Sequence, residues 1–166
     1  PLAEATARLA LHEKLADEGL EDRLKAAYPS EFAGLYLEHT PQHRLVIRMR
    51  GGHWPDVKRH IRTPGLAAIA QMRGARNSGA KLSKTMAEAI RLLDRQGLKA
   101  DVQIDAMANE VQVLATDPRP VIAAFAKAPG DFTALRVKKV AALAKPTAII
   151  GGGEWLSTCT SGFGVR

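Results

Sequence analysis

Five histidines and one cysteine are the side chains of this sequence most suited to metal binding or nucleophilic chemistry. Only His39 and His43 are spaced closely enough to share a ligand, and Glu38 is the one adjacent carboxylate. A zinc site needs three or four protein ligands, and three are hard to assemble here. We therefore predict no metal site and interpret both histidines as exposed residues of a turn.

Nucleophilic catalysis requires a Ser or Cys close to a His that a carboxylate orients. Ser157 and Ser161 have no recognisable base nearby in the sequence, and no G-x-S-x-G motif is present. Three consecutive glycines at 151–153 lack the Lys-Ser/Thr pair of a phosphate-binding loop. We expect no catalytic residue in these residues and no cofactor.

Cys159 is the only cysteine of the chain. A single cysteine is compatible with a reducing compartment, where disulfides are rare. It is equally compatible with a disulfide whose partner lies outside these residues. Both interpretations stay open on the cysteine count alone.

The positive charge is concentrated in the middle of the chain. The net charge is +7, and residues 44–99 carry 13 Lys and Arg against 3 Asp and Glu. We interpret this segment as a solvated basic face. The alternative is a basic α+β module that binds nucleic acid or an anionic surface, although only 5% of the residues are aromatic, which disfavours base stacking. No apolar run reaches the roughly 18 residues that indicate a membrane span.

The periodicity of the apolar residues changes along the chain. Residues 1–28 have the leucine spacing of a helix, interrupted at Gly19 and closed by Pro29. Residues 33–49 alternate as a hairpin around the turn HTPQH, and residues 100–118 repeat the same outline about 67 positions later. Two copies of one supersecondary unit are therefore predicted.

A helix and a third strand are expected to complete each copy. In the first copy we predict a possible strand at 57–62, a helix from Thr63-Pro64 to Met72, and a loop at 72–83. A second helix is predicted from Ser83 to Gly97. In the second copy a short helix enters through Pro120, and residues 135–140 alternate as a strand. The predicted fold class is α+β, with an N-terminal helix and two strand-strand-helix-strand repeats that form small antiparallel sheets.

The end of the chain has the most specific motifs. Ile149-Ile150-Gly151-Gly152 and the segment CTSGFGV at 159–165 resemble the start of the mature domain in bacterial chymotrypsin-like serine proteases of the alpha-lytic protease and streptogrisin family. The preceding residues are similar to the prosegment of that family. The matching positions are Phe32-Ala33-Gly34, Glu38, Leu45 to Ile47, Ile104-Asp105, Asn109, Val111 and Val113.

The resemblance implies a domain organisation. It predicts an N-terminal helical segment at 1–31, prosegment repeats at 32–99 and 100–147, and the first strand of a truncated chymotrypsin-like β-barrel at 148–166. The catalytic residues of the family would follow Arg166, so we expect the chain itself to be inert although its parent is an endopeptidase. The disulfide partner of Cys159 would also follow Arg166, which implies a secreted protein.

The resemblance also implies how the prosegment acts. The sheet formed by residues 100–140 would template the folding of its own protease domain, which is the expected partner. The inhibitory tail would run from Val140 through Leu143, Lys145 and Pro146 to Thr147. Processing is expected between Thr147 and Ala148.

Overall fold

A computed structural model describes residues 2–51 and 54–144 as a mixed α+β chain. Within these residues it has six helices and two three-stranded sheets. The helices are α1 (Leu2–Glu18), α2 (Leu20–Ala27), α3 (Trp54–Lys58), α4 (Pro64–Ile69), α5 (Gly79–Gln96) and α6 (Pro118–Lys127). The strands are β1 (Phe32–Glu38), β2 (Arg44–Met49), β3 (Ala70–Gly74), β4 (Asp101–Asp105), β5 (Glu110–Ala115) and β6 (Leu135–Lys139). The predicted barrel strand lies outside the described residues.

The N-terminal helix is interrupted at Gly19, as predicted. Gly19 has φ of 60°, a left-handed conformation that glycine adopts without steric cost. It divides α1 from α2 and redirects the chain so that Leu20 and Leu24 of α2 are fully buried. Helix α2 ends at Ala27, just before Pro29.

The two sheets have the same topology. In the first, β1 pairs antiparallel with β2 and β2 pairs parallel with β3; in the second, β4, β5 and β6 pair in the same way. The central strands β2 and β5 even share one burial pattern along their six residues. The strand-strand-helix-strand order is therefore confirmed for both copies.

The prediction of purely antiparallel sheets was wrong, because the third strand of each sheet runs parallel to the second. Residues 50–69 connect β2 to β3, and residues 116–134 connect β5 to β6. Each connection contains a helix that returns the chain to the same end of the sheet, as parallel pairing requires.

The prediction of a strand at 57–62 was also wrong. Val57 and Ile61 are both buried and lie four residues apart, which is helical spacing rather than strand alternation. They belong to α3 and the turn that follows it. The third strand of the first copy is β3, in residues that we assigned to the end of a helix and to a loop, because pairing with β2 outweighs local propensity there.

The helix predicted from Ser83 begins four residues earlier. Ser78 is its N-cap residue, and the Ser78 hydroxyl oxygen accepts a hydrogen bond from the Lys81 N–H at 3.2 Å. At the other end, Gly97 takes the left-handed conformation that closes the helix, as predicted.

Each sheet is covered by helices on one face. Helices α2, α3 and α4 contribute buried residues to a core against β1 and β2. Helices α5 and α6 do the same against β5, with Leu82, Leu93, Val113 and Val121 at its centre. Helix α5 precedes residue 100 in the sequence, yet it packs in the core of the second sheet, so each sheet has a preceding helix and a crossover helix.

Adjacent residues of α6 provide a test of this packing. Val121 is 1% exposed, whereas its neighbour Ile122 is 53% exposed. We expect Val121→Ala to lower the free energy of unfolding by about 2 kcal/mol, through lost burial and a residual cavity. Ile122→Ala should change it by less than about 0.5 kcal/mol. Urea titration followed by circular dichroism measures both, and equal losses would contradict the assigned helix face.

Candidate functional site

The turn between β4 and β5 is held in a defined conformation by its own side chains. The Asp105 carboxylate accepts a hydrogen bond from the Ala108 N–H at 2.8 Å, which closes the turn. Asn109 ends the turn with φ of 57°, the left-handed region that asparagine tolerates better than most residues. The predicted segment from Ile104 to Val113 is thus a hairpin with a preformed turn.

The same turn contacts the segment between β3 and α5 through Asn109 and Asn77, and we call this contact the asparagine clasp. The Asn109 side-chain oxygen accepts from the backbone N–H groups of Arg76 and Asn77, at 2.9 and 2.7 Å. The Asn109 amide donates to the Asn77 carbonyl at 2.9 Å, and the Asn77 amide donates to the Asn109 carbonyl at 3.0 Å. Both side chains are buried, at 3% and 7% exposure.

Two further contacts bring this turn against the first sheet. Arg48 of β2 donates hydrogen bonds to the Met107 carbonyl and, at 2.9 Å, to the Gly74 carbonyl. Gly34 of β1 has φ of 117°, and a Cβ at this position would lie 3.8 Å from the Ala106 side chain. The two copies of the unit are therefore connected by a specific polar contact as well as by the chain.

Sequence reasoning singled out Asn109 but missed Asn77. An Asn just before a strand is a recognisable signal for a left-handed turn residue. Asn77 gave no such signal, because its partner lies 32 positions away and only the packing of one unit on the other brings the two together.

Arg44 and Arg73 lie on the open face of the first sheet, and both are engaged by side chains of the chain. Arg73 of β3 forms a bidentate ion pair with Glu38 of β1, with nitrogen–oxygen distances of 2.9 and 2.6 Å. Arg44 donates to the side chains of Gln71 and Gln42. These contacts support the interpretation of a solvated structural face, because guanidinium groups so engaged are less available to phosphates.

The Glu38–Arg73 pair also shifts the ionisation of both groups. The hydrogen bond from Arg73 lowers the pKa of Glu38 below its ordinary value of 4.5, and the same bond raises the pKa of Arg73. The pair links the two outer strands of the sheet across β2, since β1 and β3 flank that strand.

The second sheet presents two unpaired edges within the described residues, because β5 lies between β4 and β6. The β6 edge is basic, with Arg136, Lys138 and Lys139, and lysine on an edge strand opposes further pairing. The β4 edge, Asp101–Asp105, has no basic residue.

The chain leaves β6 and crosses the end of the sheet toward β4. The Val140 N–H donates to the Ala115 carbonyl at 3.0 Å, at the end of β5. The Ala144 N–H donates to the Asp101 carboxylate at 2.8 Å, at the start of β4. The last described residues are thus held beside the β4 edge.

The predicted site residues are only partly described. Val140 and Leu143 of the predicted inhibitory tail lie in the segment that crosses the sheet, and both are half-buried. Lys145, Pro146, Thr147, Ala148 and Cys159 lie outside the described residues, so the predicted junction and disulfide stay predictions.

His39 and His43 stack on each other across the first hairpin turn, with ring centroids 5.3 Å apart. Within residues 2–51 and 54–144 no group of three or more His, Cys, Asp or Glu side chains could hold a metal ion. None of the helices in the described part of the chain is long and apolar enough to cross a membrane.

Comparison with known proteins adds no family assignment. Neither a scan against protein-family models nor a search of curated proteins finds a match.

The Glu38–Arg73 pair predicts a pH-dependent contribution to stability. Because the pKa of Glu38 is lower in the folded chain, its carboxylate stabilises the fold above the ordinary pKa of 4.5, and this contribution is lost as the pH falls toward the folded pKa. Glu38→Gln should therefore lower the free energy of unfolding at pH 7, and its difference from wild type should shrink below about pH 4.5. Urea titrations from pH 3 to 7 test this, with the exposed Glu13→Gln as control. A difference that is constant with pH would contradict the pairing.

The asparagine clasp predicts that two substitutions of Asn109 lower the free energy of unfolding by different amounts. Asn109→Gly keeps the left-handed backbone but leaves buried N–H and C=O groups without partners, so it should cost about 1–3 kcal/mol. Asn109→Ala loses the same bonds and adds left-handed strain, so it should cost about 1 kcal/mol more. Chemical unfolding measures both, and an alanine variant as stable as the glycine variant would contradict the strained position.

Proposed function

We propose that this chain contains the prosegment of a secreted serine endopeptidase precursor, similar to those of the alpha-lytic protease and streptogrisin family. In this proposal residues 1–147 act as an intramolecular chaperone and then as an inhibitor of the protease domain that begins near residue 148. The observation that carries the proposal is the pair of motifs at 149–152 and 159–165, which follow a two-unit α+β segment.

The physical need for such a chaperone follows from the implied enzyme fold. A chymotrypsin-like double barrel is built from strand pairings distant in sequence, so its folding barrier is high. A preformed sheet that pairs with part of the barrel lowers the barrier, because it supplies an ordered edge on which strands can assemble.

The second sheet has the features that this role requires. It is three-stranded, its helices cover one face only, and both its edges lack a strand partner within the described residues. We propose that β4 is the edge that pairs with the protease. The contact between the Ala144 N–H and Asp101 supports this choice, since it brings the start of the inhibitory tail beside β4, whereas the lysines of β6 disfavour pairing there.

Inhibition would then use the residues that follow. An extended segment from Val140 to Thr147 would occupy the substrate cleft of the protease, and Asp101 would hold its first part in position. Arg44 and Arg73 on the open face of the first sheet give no support to nucleic-acid binding, because both already donate to side chains of the chain.

The gene sequence beyond Arg166 provides a first test of this proposal. We expect a His-Cys pair within a few tens of residues, since the family places its catalytic histidine and the partner of the cysteine matching Cys159 there. Later segments should supply the catalytic Asp and Ser. A continuation without that His-Cys pair would rule out the proposed family.

A refolding assay tests the function itself. Denatured mature protease is diluted with or without the 1–147 segment, and recovered peptidase activity is measured after the segment has been degraded. Inhibition of the native protease is measured separately. We expect the segment to raise the recovered activity and to inhibit the native enzyme. An absence of both effects would overturn the proposal.

The contact between the tail and the sheet predicts a specific loss. Asp101→Ala removes the acceptor of the Ala144 N–H, which we expect to weaken inhibition of the native protease about five-fold, the value of a typical hydrogen bond. The recovery of activity on refolding should change less. Asp94→Ala, at an exposed position of α5, is the matched control, and equal inhibition by both variants would contradict the role of Asp101.

A further inference from the structure

A cavity of ≈ 300 Å³ lies beside the asparagine clasp, between the two copies of the unit. Its lining comes from β2, from the segment after β3, from the β4–β5 turn and the start of β5, and from β6 with the residues just before it. The side chains that matter for its chemistry are Arg48, Arg76, Asn109, Glu110, Thr133 and Arg136.

The charge of this lining is unbalanced. Three arginines line the cavity against one carboxylate, that of Glu110. Glu110 is itself shared between two cations, since its oxygens lie 3.8 Å from Arg136 and 3.6 Å from Lys138. The cavity is therefore a region of net positive charge.

Two of the arginines keep their charge uncompensated. Arg48 donates to two backbone carbonyls, which are neutral, and its buried Nε has no hydrogen-bonding partner in the described part of the chain. Arg76 contributes its backbone N–H to the clasp, whereas no ion pair of its guanidinium group lies within the described residues. Like charges in a partly enclosed site repel one another more strongly than in water.

The remaining polar groups around the cavity are already paired. The Thr133 hydroxyl lies 2.5 Å from the Asp131 carboxylate and 3.1 Å from the Lys81 ammonium group, and Lys81 also pairs with Asp131. These hydrogen bonds lower the pKa of Asp131, so that carboxylate stays ionised and engaged. Asp131 is therefore not available as a second acidic partner for the arginines of the cavity.

We propose that this cavity is a binding site for an oxyanion of the phosphate or sulfate type. Guanidinium groups present paired N–H donors that match the oxygens of such an anion, and these charge-assisted bonds are stronger than neutral ones. Arg48 belongs to β2 of the first sheet and Arg136 to β6 of the second, so a bound oxyanion connects the two units beside the clasp. The proposal is independent of the protease assignment.

Calorimetric titration of the full 166-residue chain with inorganic phosphate tests the proposal. Sodium chloride at matched ionic strength is the control for charge screening. We expect saturable phosphate binding and a rise in the unfolding midpoint that chloride does not reproduce. Arg76→Gln should weaken phosphate binding about ten-fold, because it removes one charged donor while the backbone N–H in the clasp remains. Arg91→Gln, at an exposed position of α5 that does not line the cavity, should bind as wild type does.

Glu110→Gln should change the affinity for phosphate in the opposite direction. Removing the one carboxylate of the lining should tighten phosphate binding roughly three-fold, because a repulsive charge is lost. Circular dichroism verifies that each variant is folded, and Arg136→Gln replaces Arg76→Gln if the latter is not. Equal responses to phosphate and chloride would overturn the proposal, as would equal affinities for the arginine variant and its control. An unchanged or weaker affinity in Glu110→Gln would overturn it as well.

Discussion

The hydrogen bonds between Asn77 and Asn109 are the contact on which the arrangement of the two units depends. Each asparagine is buried, and each uses its amide to satisfy the backbone of the other. A buried backbone group without a partner is costly, so the β4–β5 turn and the segment before α5 have to meet in one relative position. In that position Arg48 reaches the Met107 carbonyl, and the cavity forms beside the clasp.

Both units bury one face of their sheet in the same way. A three-stranded sheet is too small to be stable alone, and here each sheet buries one face under a helix that precedes it and a helix in the crossover to its third strand. The other face stays polar. In the first unit that face is crossed by arginines paired with Glu38 and Gln71, and in the second it carries Gln112 and Glu110.

The arginines of the open face and of the cavity fall into two groups, those engaged by side chains of the chain and those whose charge is uncompensated. Arg44 and Arg73 of the first sheet are structural, because both donate to side chains of the chain. Uncompensated charge instead lies at the boundary between the units, where Arg48 of β2 and Arg76 of the segment after β3 line the cavity, whereas Arg136 is paired with Glu110. The basic middle segment therefore does not act as one uniform surface.

The sequence by itself determined the hairpins, the break at Gly19 and the helix-closing role of Gly97, because alternation, glycine conformation and capping are local properties. It also supplied the repeat, and the resemblance on which the proposed function depends. The direction of the third strands, the true position of β3 and the placement of α5 in the second core required the tertiary structure. Residues 70–74 form a strand only because β2 offers a parallel partner, and Asn77 and Arg76 acquire their roles only when the second unit packs on the first. Contacts between residues far apart in the chain decide these features, and no local pattern encodes them.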